Sequence, residues 1–233
     1  MHKNSSVLLI GGGRLAKHLS HWNNLLDRPN DFLHWNRSQN PNLLTELFQK
    51  SQIVWLAITD SAISSFVDSH PELSKKTVVH FSGSYSDHRL LCAHPLMSFP
   101  QEYLSDEVYP LIHFATCGFS NLTEALPGFH NHSFVLTPEA KAYYHALCVI
   151  AGNFPQLLWS EVSKEFEKMA IPEKALDLYI EQIARNYVHL KARALTGPLV
   201  RKDYSTIEKN ISSLEKSPHL KNLYCSFAKE LPI

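Results

Sequence analysis

Four consecutive apolar residues, Val7-Leu8-Leu9-Ile10, have the length and β-branched content of a fully buried strand. Past three glycines the period changes, and Leu15, Leu19, Trp22 and Leu26 recur at helical spacing. This alternation continues. Residues 31–35 read as a second strand, and Leu43, Leu44, Leu47 and Phe48 line one face of a short helix opened by Asn40-Pro41. Residues 53–58 form a third buried strand, followed by a helix through Ile63, Phe66 and Val67; residues 77–81 form a fourth strand. Residues 111–116 and 133–137 predict two more strands that complete the sheet. The stretch from Cys92 to Phe99 is too short and Pro-broken for a helix, and His94, preceding Pro95, is pushed towards an extended conformation.

At Thr137-Pro138-Glu139 the pattern becomes helical for good: a Thr N-cap, Pro at the first helical position, Glu in the first turn. This helix carries Tyr143, Leu147, Ile150, Phe154 and Leu158 on its inward side, as far as Met169. Pro155 inside it leaves the carbonyl of Ala151 without its helical partner, which predicts a kink at Gly152-Asn153. A second helix runs from Pro172 to about Ala194 and is stopped by Thr196-Gly197-Pro198. Ser205-Thr206-Ile207-Glu208 is a capping-box pattern for a third helix, and Ser217-Pro218 opens a fourth through Leu220, Leu223, Tyr224 and Phe227. Leu176, Leu178, Tyr179, Ile180, Ile183 and Val188 put apolar surface on more than one face of the second helix, more than one neighbour covers. The expectation is a two-fold homodimer through these helices.

Composition narrows the function. The 233 residues include 22 Lys plus Arg and 22 Asp plus Glu, so no net charge draws the chain to nucleic acid. No apolar run reaches membrane-spanning length. Cys92, Cys117, Cys148 and Cys225 have neither zinc-site nor disulfide-framework spacing, which points to a reducing, cytoplasmic setting. His130 and His132 lack a third ligand in reach, so no metal site is expected.

The chemistry concentrates after the first strand. Gly11-Gly12-Gly13-Arg14-Leu15-Ala16 has the G-x-G-x-x-A spacing of a dinucleotide-binding turn between a strand and a helix. Gly11 allows the tight turn, Gly13 lets a pyrophosphate approach the backbone, and Ala16 lets the helix pack closely; Arg14 and Leu15 open that helix, whose first N–H groups face the anion. The alternative is a Gly-rich turn that binds nothing. After the second strand, where NAD-binding versions carry an acid, stand Asn36-Arg37-Ser38; Arg37 and Ser38 suit a ribose 2′-phosphate, and therefore NADP(H). Ile58 ends the third strand, Thr59 and Asp60 follow it, and all three should rim the same cleft, although for Asp60 an N-cap role is the preferred reading. Ser82, Gly83 and Ser84 follow the fourth strand, where they can hold the nicotinamide or a substrate carboxylate. His94 either faces the cleft or is a hydrogen-bonded structural histidine. The fold class is therefore an α/β Rossmann-like domain (residues 1–137) followed by an all-α domain (residues 138–233).

Several stretches together resemble a known family: Gly11-Gly12-Gly13-Arg14, Asn36-Arg37-Ser38, Ser82-Gly83-Ser84, His94-Pro95-Leu96, Tyr144-His145-Ala146 with Ala151-Gly152-Asn153, and Thr196-Gly197-Pro198-Leu199-Val200-Arg201-Lys202-Asp203. In order and spacing, from about Val7 to Leu231, they are similar to bacterial two-domain NADP-dependent oxidoreductases whose helical domain was formerly of unknown function. The layout is also similar to pyrroline-carboxylate reductases, ketopantoate reductases and β-hydroxyacid dehydrogenases. The resemblance implies reduction of a small 2-oxo acid with NADPH, with ketopantoate as the leading substrate. A cyclic imine reductase and a non-catalytic NADP(H) sensor are the alternatives. The chain departs from the family's pattern at Lys202, where Gly is usual, and at Met97, often Gln. In a reductase, His145 can be the general acid and Asn153 can donate a hydrogen bond to the substrate. Eight helical residues separate them, about 12 Å, so they should line different parts of one cleft. Each also has a structural alternative, a buried imidazole and a side chain satisfying the kinked backbone. Arg201 can bind a substrate carboxylate, though pairing with Asp203 is the preferred reading.

Overall fold

Alternate side chains of β1 (Ser6–Ile10) go to opposite faces of one sheet, and both faces are covered. Val7 and Leu9 pack with Leu19 and Trp22 of α1 (Arg14–Asn24). Leu8 and Ile10 pack with Leu44, Leu47 and Phe48 of α2 (Pro41–Lys50) and Ile63 of α3 (Asp60–Asp68). Burial on both faces is what turns the strand's sequence into an unbroken apolar run. The computed structural model describes residues 6–230; the first five and last three residues, including Leu231 at the end of the family resemblance, lie outside them.

Among the described residues the sheet has seven strands: β1, β2 (Asp31–Trp35), β3 (Ile53–Leu56), β4 (Thr77–His80), β5 (Leu91–Pro95), β6 (Phe114–Cys117) and β7 (Ser133–Val135), in the order β2-β1-β3-β4-β5-β6-β7. Pairing is parallel from β2 through β5, β6 runs antiparallel with Cys92 opposite Cys117, and β7 is parallel to β6. This is a Rossmann-like α/β sheet followed by helices. It corrects the expected strand set in two places. Residues 91–95, read only as an extended Pro-broken segment, form a full strand, because Pro95 sits at the strand's last position and need not donate there. Leu111 ends a 3₁₀ turn (Asp106–Leu111) containing Pro110, so the next strand begins only at Phe114. Between β6 and β7 lies one short helix, α4 (Leu122–Ala125).

The chain divides into two compact units, Met1–Leu157 and Leu158–Ile233, each described by itself. The boundary falls inside a long helix. Thr137 Oγ1 accepts from the Ala140 N–H (3.3 Å), and α5 (Ala140–Cys148) follows. Its ladder widens to a π-helical segment (Val149–Asn153) and returns to α-helix in α6 (Phe154–Lys168). The irregularity falls where Pro155 removes an N–H, and the carbonyl of Gly152 accepts from Gln156 Nε2 at 2.9 Å. Most of the expected inward stripe is exposed among the described residues. Tyr143 is 71% exposed, Leu147, Ile150 and Phe154 are exposed with it, and Leu158 is half-buried. The helical period is real, but it does not translate into burial among the described residues of this unit.

The second unit contains α7 (Glu173–Leu190), α8 (Pro198–Arg201), α9 (Tyr204–Ser213) and α10 (Pro218–Glu230). Asn210 Nδ2 donates to the Tyr224 hydroxyl at 3.1 Å, joining α9 to α10. The cap of α9 is Asp203, whose carboxylate accepts from the Thr206 N–H; the capping-box reading of Ser205 gives way because a carboxylate two residues earlier reaches the same orphan donors. Lys202 sits at φ +55°, ψ +36°, the left-handed conformation that glycine adopts at lower cost. On α7, Leu176 is buried and Ile180 half-buried, while Leu178, Tyr179, Ile183 and Val188 are exposed. No helix among the described residues is long and apolar enough to cross a membrane.

Candidate functional site

The carboxyl ends of β1, β2 and β3 open into one cleft of about 860 Å³. Strand order reverses here, with β1 feeding outwards to β2 and β3 lying on its other side, and such a reversal splays the connections apart and leaves a crevice. Gly11, Gly13, Arg14, Leu15, Arg37, Ser38, Ile58 and Thr59, all expected at a cofactor site, line it. Gly12 and Asn36, members of the same two motifs, line it too, and Ala62, Phe66 and Phe99, which no motif marked, give it an apolar wall.

The glycines differ in what they do. Gly11 has φ +142°, and a Cβ there would collide with the carbonyl of Ala57 on the neighbouring strand, so the fold itself requires glycine. Gly13 has an extended backbone open to any residue, and a Cβ there would meet nothing. No described residue demands glycine at this position; an incoming ligand that touches the backbone would. Gly13 is also the N-cap of α1, with no side-chain cap and no acidic residue in the first turn, which leaves orphan N–H groups and the positive helix end facing the cleft. Ala16 is buried in the core, the close helix–strand contact its small size permits.

At the end of β2, Asn36 organises the turn. Its Oδ1 accepts from the Ser38 N–H (3.1 Å) and the Ser38 hydroxyl (2.5 Å). The Ser38 proton is therefore committed. Arg37 is exposed and enters no ion pair among the described residues, so its guanidinium is free for an anion. The only acid of β2, Asp31, lies at the opposite end of the strand.

Next along the same edge is a polar cluster built by the loop after β4, by β5 and by α5. The preferred N-cap reading of Asp60 is overturned: Thr59 caps α3, and the Asp60 carboxylate accepts from the hydroxyls of Ser82 (2.6 Å) and Ser84 (3.0 Å). A carboxylate offered two hydroxyl donors across the cleft edge turns to them rather than to its own helix. Ser82 Oγ in turn accepts from the Ser84 and Tyr85 N–H groups, so the turn is rigid. Gly83 lies against two imidazoles; a Cβ there would collide with His145 and come within 3.0 Å of His94 Nε2. His94 Nδ1 hydrogen-bonds the Tyr144 hydroxyl at 3.0 Å, and the rings of His94 and His145 meet edge to face, 6.0 Å apart.

Lys141, on α5, gave no signal in the sequence. It is 1% exposed, and its Nζ donates to the Ser82 carbonyl (3.0 Å) and contacts Cys92 Sγ (2.6 Å). Burial first, and then the Lys141 charge, push His94 down to about 4, and the same two causes in the same order push His80 down to about 4. Both imidazoles are neutral at ordinary pH. Burial pushes the Tyr144 phenol up, so it stays protonated.

Asn153 ends the π-helical segment, exposed, and its side chain makes no hydrogen bond among the described residues. It neither joins the His94–His145 cluster nor repairs the helix, a task that falls to Gln156. Arg201, in the second unit, is exposed at the end of α8. The expected Arg201–Asp203 pairing gives way to the cap: hydrogen bonds from Thr206 hold the Asp203 carboxyl below its usual range, and Arg201 is the least of its influences. Among the described residues no group of three metal-ligating side chains comes together.

A family profile described as "Domain of unknown function (DUF2520)" matches residues 117–231. No curated protein matches the chain. Among solved structures, a Bacteroides fragilis protein described as a candidate NADP oxidoreductase is 19% identical, with a TM-score of 0.75 and 97% of each chain covered. A Thermotoga maritima protein is 22% identical, with a TM-score of 0.71, covering 96% of this chain and 95% of that one. A Plasmodium falciparum pyrroline carboxylate reductase with NADP bound is 12% identical, with a TM-score of 0.62, covering 97% of this chain and 98% of the other. At these identities the likeness is one of fold.

Proposed function

We propose that this chain is an NADPH-dependent reductase of a small C=O or C=N compound. One observation carries the reading: the uncapped start of α1, where Gly13 opens onto empty space, shares a cleft with the unpaired Arg37 and with no carboxylate at that end of β2. A pyrophosphate fits the first feature and a 2′-phosphate the second. Gly11 and Gly13 would hold the pyrophosphate, Arg37 the 2′-phosphate, and Ile58 and Thr59 the cleft rim. When bound, the cofactor supplies the hydride.

The chain's own residues must then orient the substrate and supply a proton. His94, neutral above about pH 4, is a poor acid near neutrality and orients through its bond to Tyr144. His145 faces the same Gly83 turn and is our choice of general acid, imidazole being the side chain suited to proton transfer near pH 7. The Ser82–Gly83–Ser84 turn, held by Asp60, would form the substrate floor. The leading substrate is a 2-oxo acid, with 2-dehydropantoate the best single candidate. A cyclic imine is the second reading, favoured by the fold shared with the Plasmodium pyrroline carboxylate reductase. Exposed apolar side chains along α5, α6 and α7 support a two-fold homodimer, a second copy being the partner with matching surface.

The test is NADPH oxidation, followed by absorbance, against a panel of 2-oxo acids and cyclic imines. Turnover of a 2-oxo acid supports the lead, and turnover of an imine alone selects the second reading. NADPH binding without any turnover would replace the enzyme by a cofactor sensor.

A further inference from the structure

We propose that Lys141 and Cys92 form an oxidative cross-link in which one oxygen atom bridges Nζ and Sγ. The two atoms lie 2.6 Å apart. Hydrogen bonds from N–H to oxygen span about 2.7–3.2 Å, and sulfur, the larger atom, needs more room than oxygen. A separation below that range is too close for a relaxed N–H···S contact and matches two atoms bonded to one shared oxygen.

The surroundings argue the same way. Both side chains are essentially withdrawn from water. A buried ammonium is ordinarily matched by a carboxylate. None pairs with Lys141 among the described residues, and the nearby Asp60 is committed to Ser82 and Ser84. A thiolate partner is not the explanation either, because burial pushes the Cys92 thiol up and keeps it protonated. What remains is an amine and a thiol held together in a dry pocket, with the Ser82 carbonyl fixing the amine at 3.0 Å.

Once the Lys141 ammonium has released a proton to water, the reaction balances with dioxygen as oxidant: Lys–NH₂ + Cys–SH + O₂ → Lys–NH–O–S–Cys + H₂O. One N–H and one S–H bond break, N–O and O–S bonds form, and four electrons pass from nitrogen and sulfur to dioxygen, whose second oxygen leaves as water. Two equivalents of hydrogen peroxide give the same product with three waters. Reduction by two equivalents of a dithiol returns the amine and the thiol and releases water. The link would tie α5, which carries Tyr144 and His145, to β5, which carries His94, and would remove the positive charge beside both buried imidazoles. The proposal is independent of the reductase reading.

The test uses the wild-type chain. Protein kept in reductant is compared with protein transferred to aerated buffer or treated with stoichiometric hydrogen peroxide, by intact mass and by tryptic peptide mapping. The expected result is a gain of about 14 Da, one oxygen in and two hydrogens out, on a peptide pair joining Lys141 to Cys92. Trypsin should no longer cut after Lys141, and dithiothreitol should reverse both changes. Cys92→Ser and Lys141→Arg should each abolish the gain. Recovery of Cys92 as free thiol, as sulfinic acid or as a disulfide with Cys117, its neighbour across β5 and β6, with Lys141 still a cleavage site, would overturn the proposal. Because the peptide map reads the unmutated protein, the outcome does not depend on how the variants fold.

Discussion

His80 and His94 make the first unit sensitive to mild acid. Each is held near 4 against an ordinary value of 6.5, so between those values the unfolded chain binds protons that the folded chain refuses. Stability is then fully present above pH 6.5 and falls as pH drops towards 4. From pH 7 to pH 5 each histidine should remove about 2 kcal/mol, about 4 together, a large part of the 5–15 kcal/mol typical of a domain. Carboxylates held low, such as Asp87 beside Arg89, add their loss only below 3.8, so the histidines dominate this window. Urea titrations read by tryptophan fluorescence between pH 7 and 5 measure the slope; Trp22, Trp35 and Trp55 are all buried in this unit. Lys141→Met should make the slope shallower by removing the second cause of both shifts. It should not abolish the slope, because burial, the larger cause, remains. Stability that is flat from pH 7 to 5, or a slope that Lys141→Met leaves unchanged, would refute the electrostatic account of the cluster.

Other outcomes follow from single residues. Arg37→Glu should weaken NADPH binding more than tenfold while NADH binding holds or improves, checked by titration; equal weakening of both would make Arg37 structural. His145→Gln should remove a pH-dependent limb from the rate profile with an intact melting transition, whereas a large fall in Tm with activity per folded molecule preserved would return it to a structural role. Lys202→Gly should raise stability by about 0.5–1 kcal/mol, relieving the left-handed backbone at the end of α8, as thermal unfolding will report.

The parts of the fold set by local pattern were legible in the chain. The end of β1, the turn at Gly11–Gly13 and the bounds of β2 depend on neighbours a few residues away, and they form where the pattern puts them. The widened helix ladder falls beside Pro155 for the same reason. Features set by distant partners were not legible. Lys141 reads as one more solvent-facing lysine, and only the fold brings it to Cys92, 49 residues away, and Ser82, 59 away. Asp60 sits at a helix start, where capping is the local choice, and the hydroxyls of Ser82 and Ser84 win it from across the sheet edge. The stripe from Tyr143 to Phe154 shows a third kind of limit. Its period is correct, but period alone does not say whether a face is covered, and these side chains are exposed.

The most direct test of the central claim is calorimetric titration of NADPH into the wild-type chain and into Gly13→Ala. A Cβ at Gly13 meets no atom of the described residues and its backbone is extended, so the variant should lose at most about 1 kcal/mol of stability through the weaker helix cap. The account predicts saturable NADPH binding to the wild type, tighter than NADH, and a loss of affinity of tenfold or more in Gly13→Ala with the fold intact. Absence of NADPH binding by the wild type, or equal binding by Gly13→Ala, would contradict it.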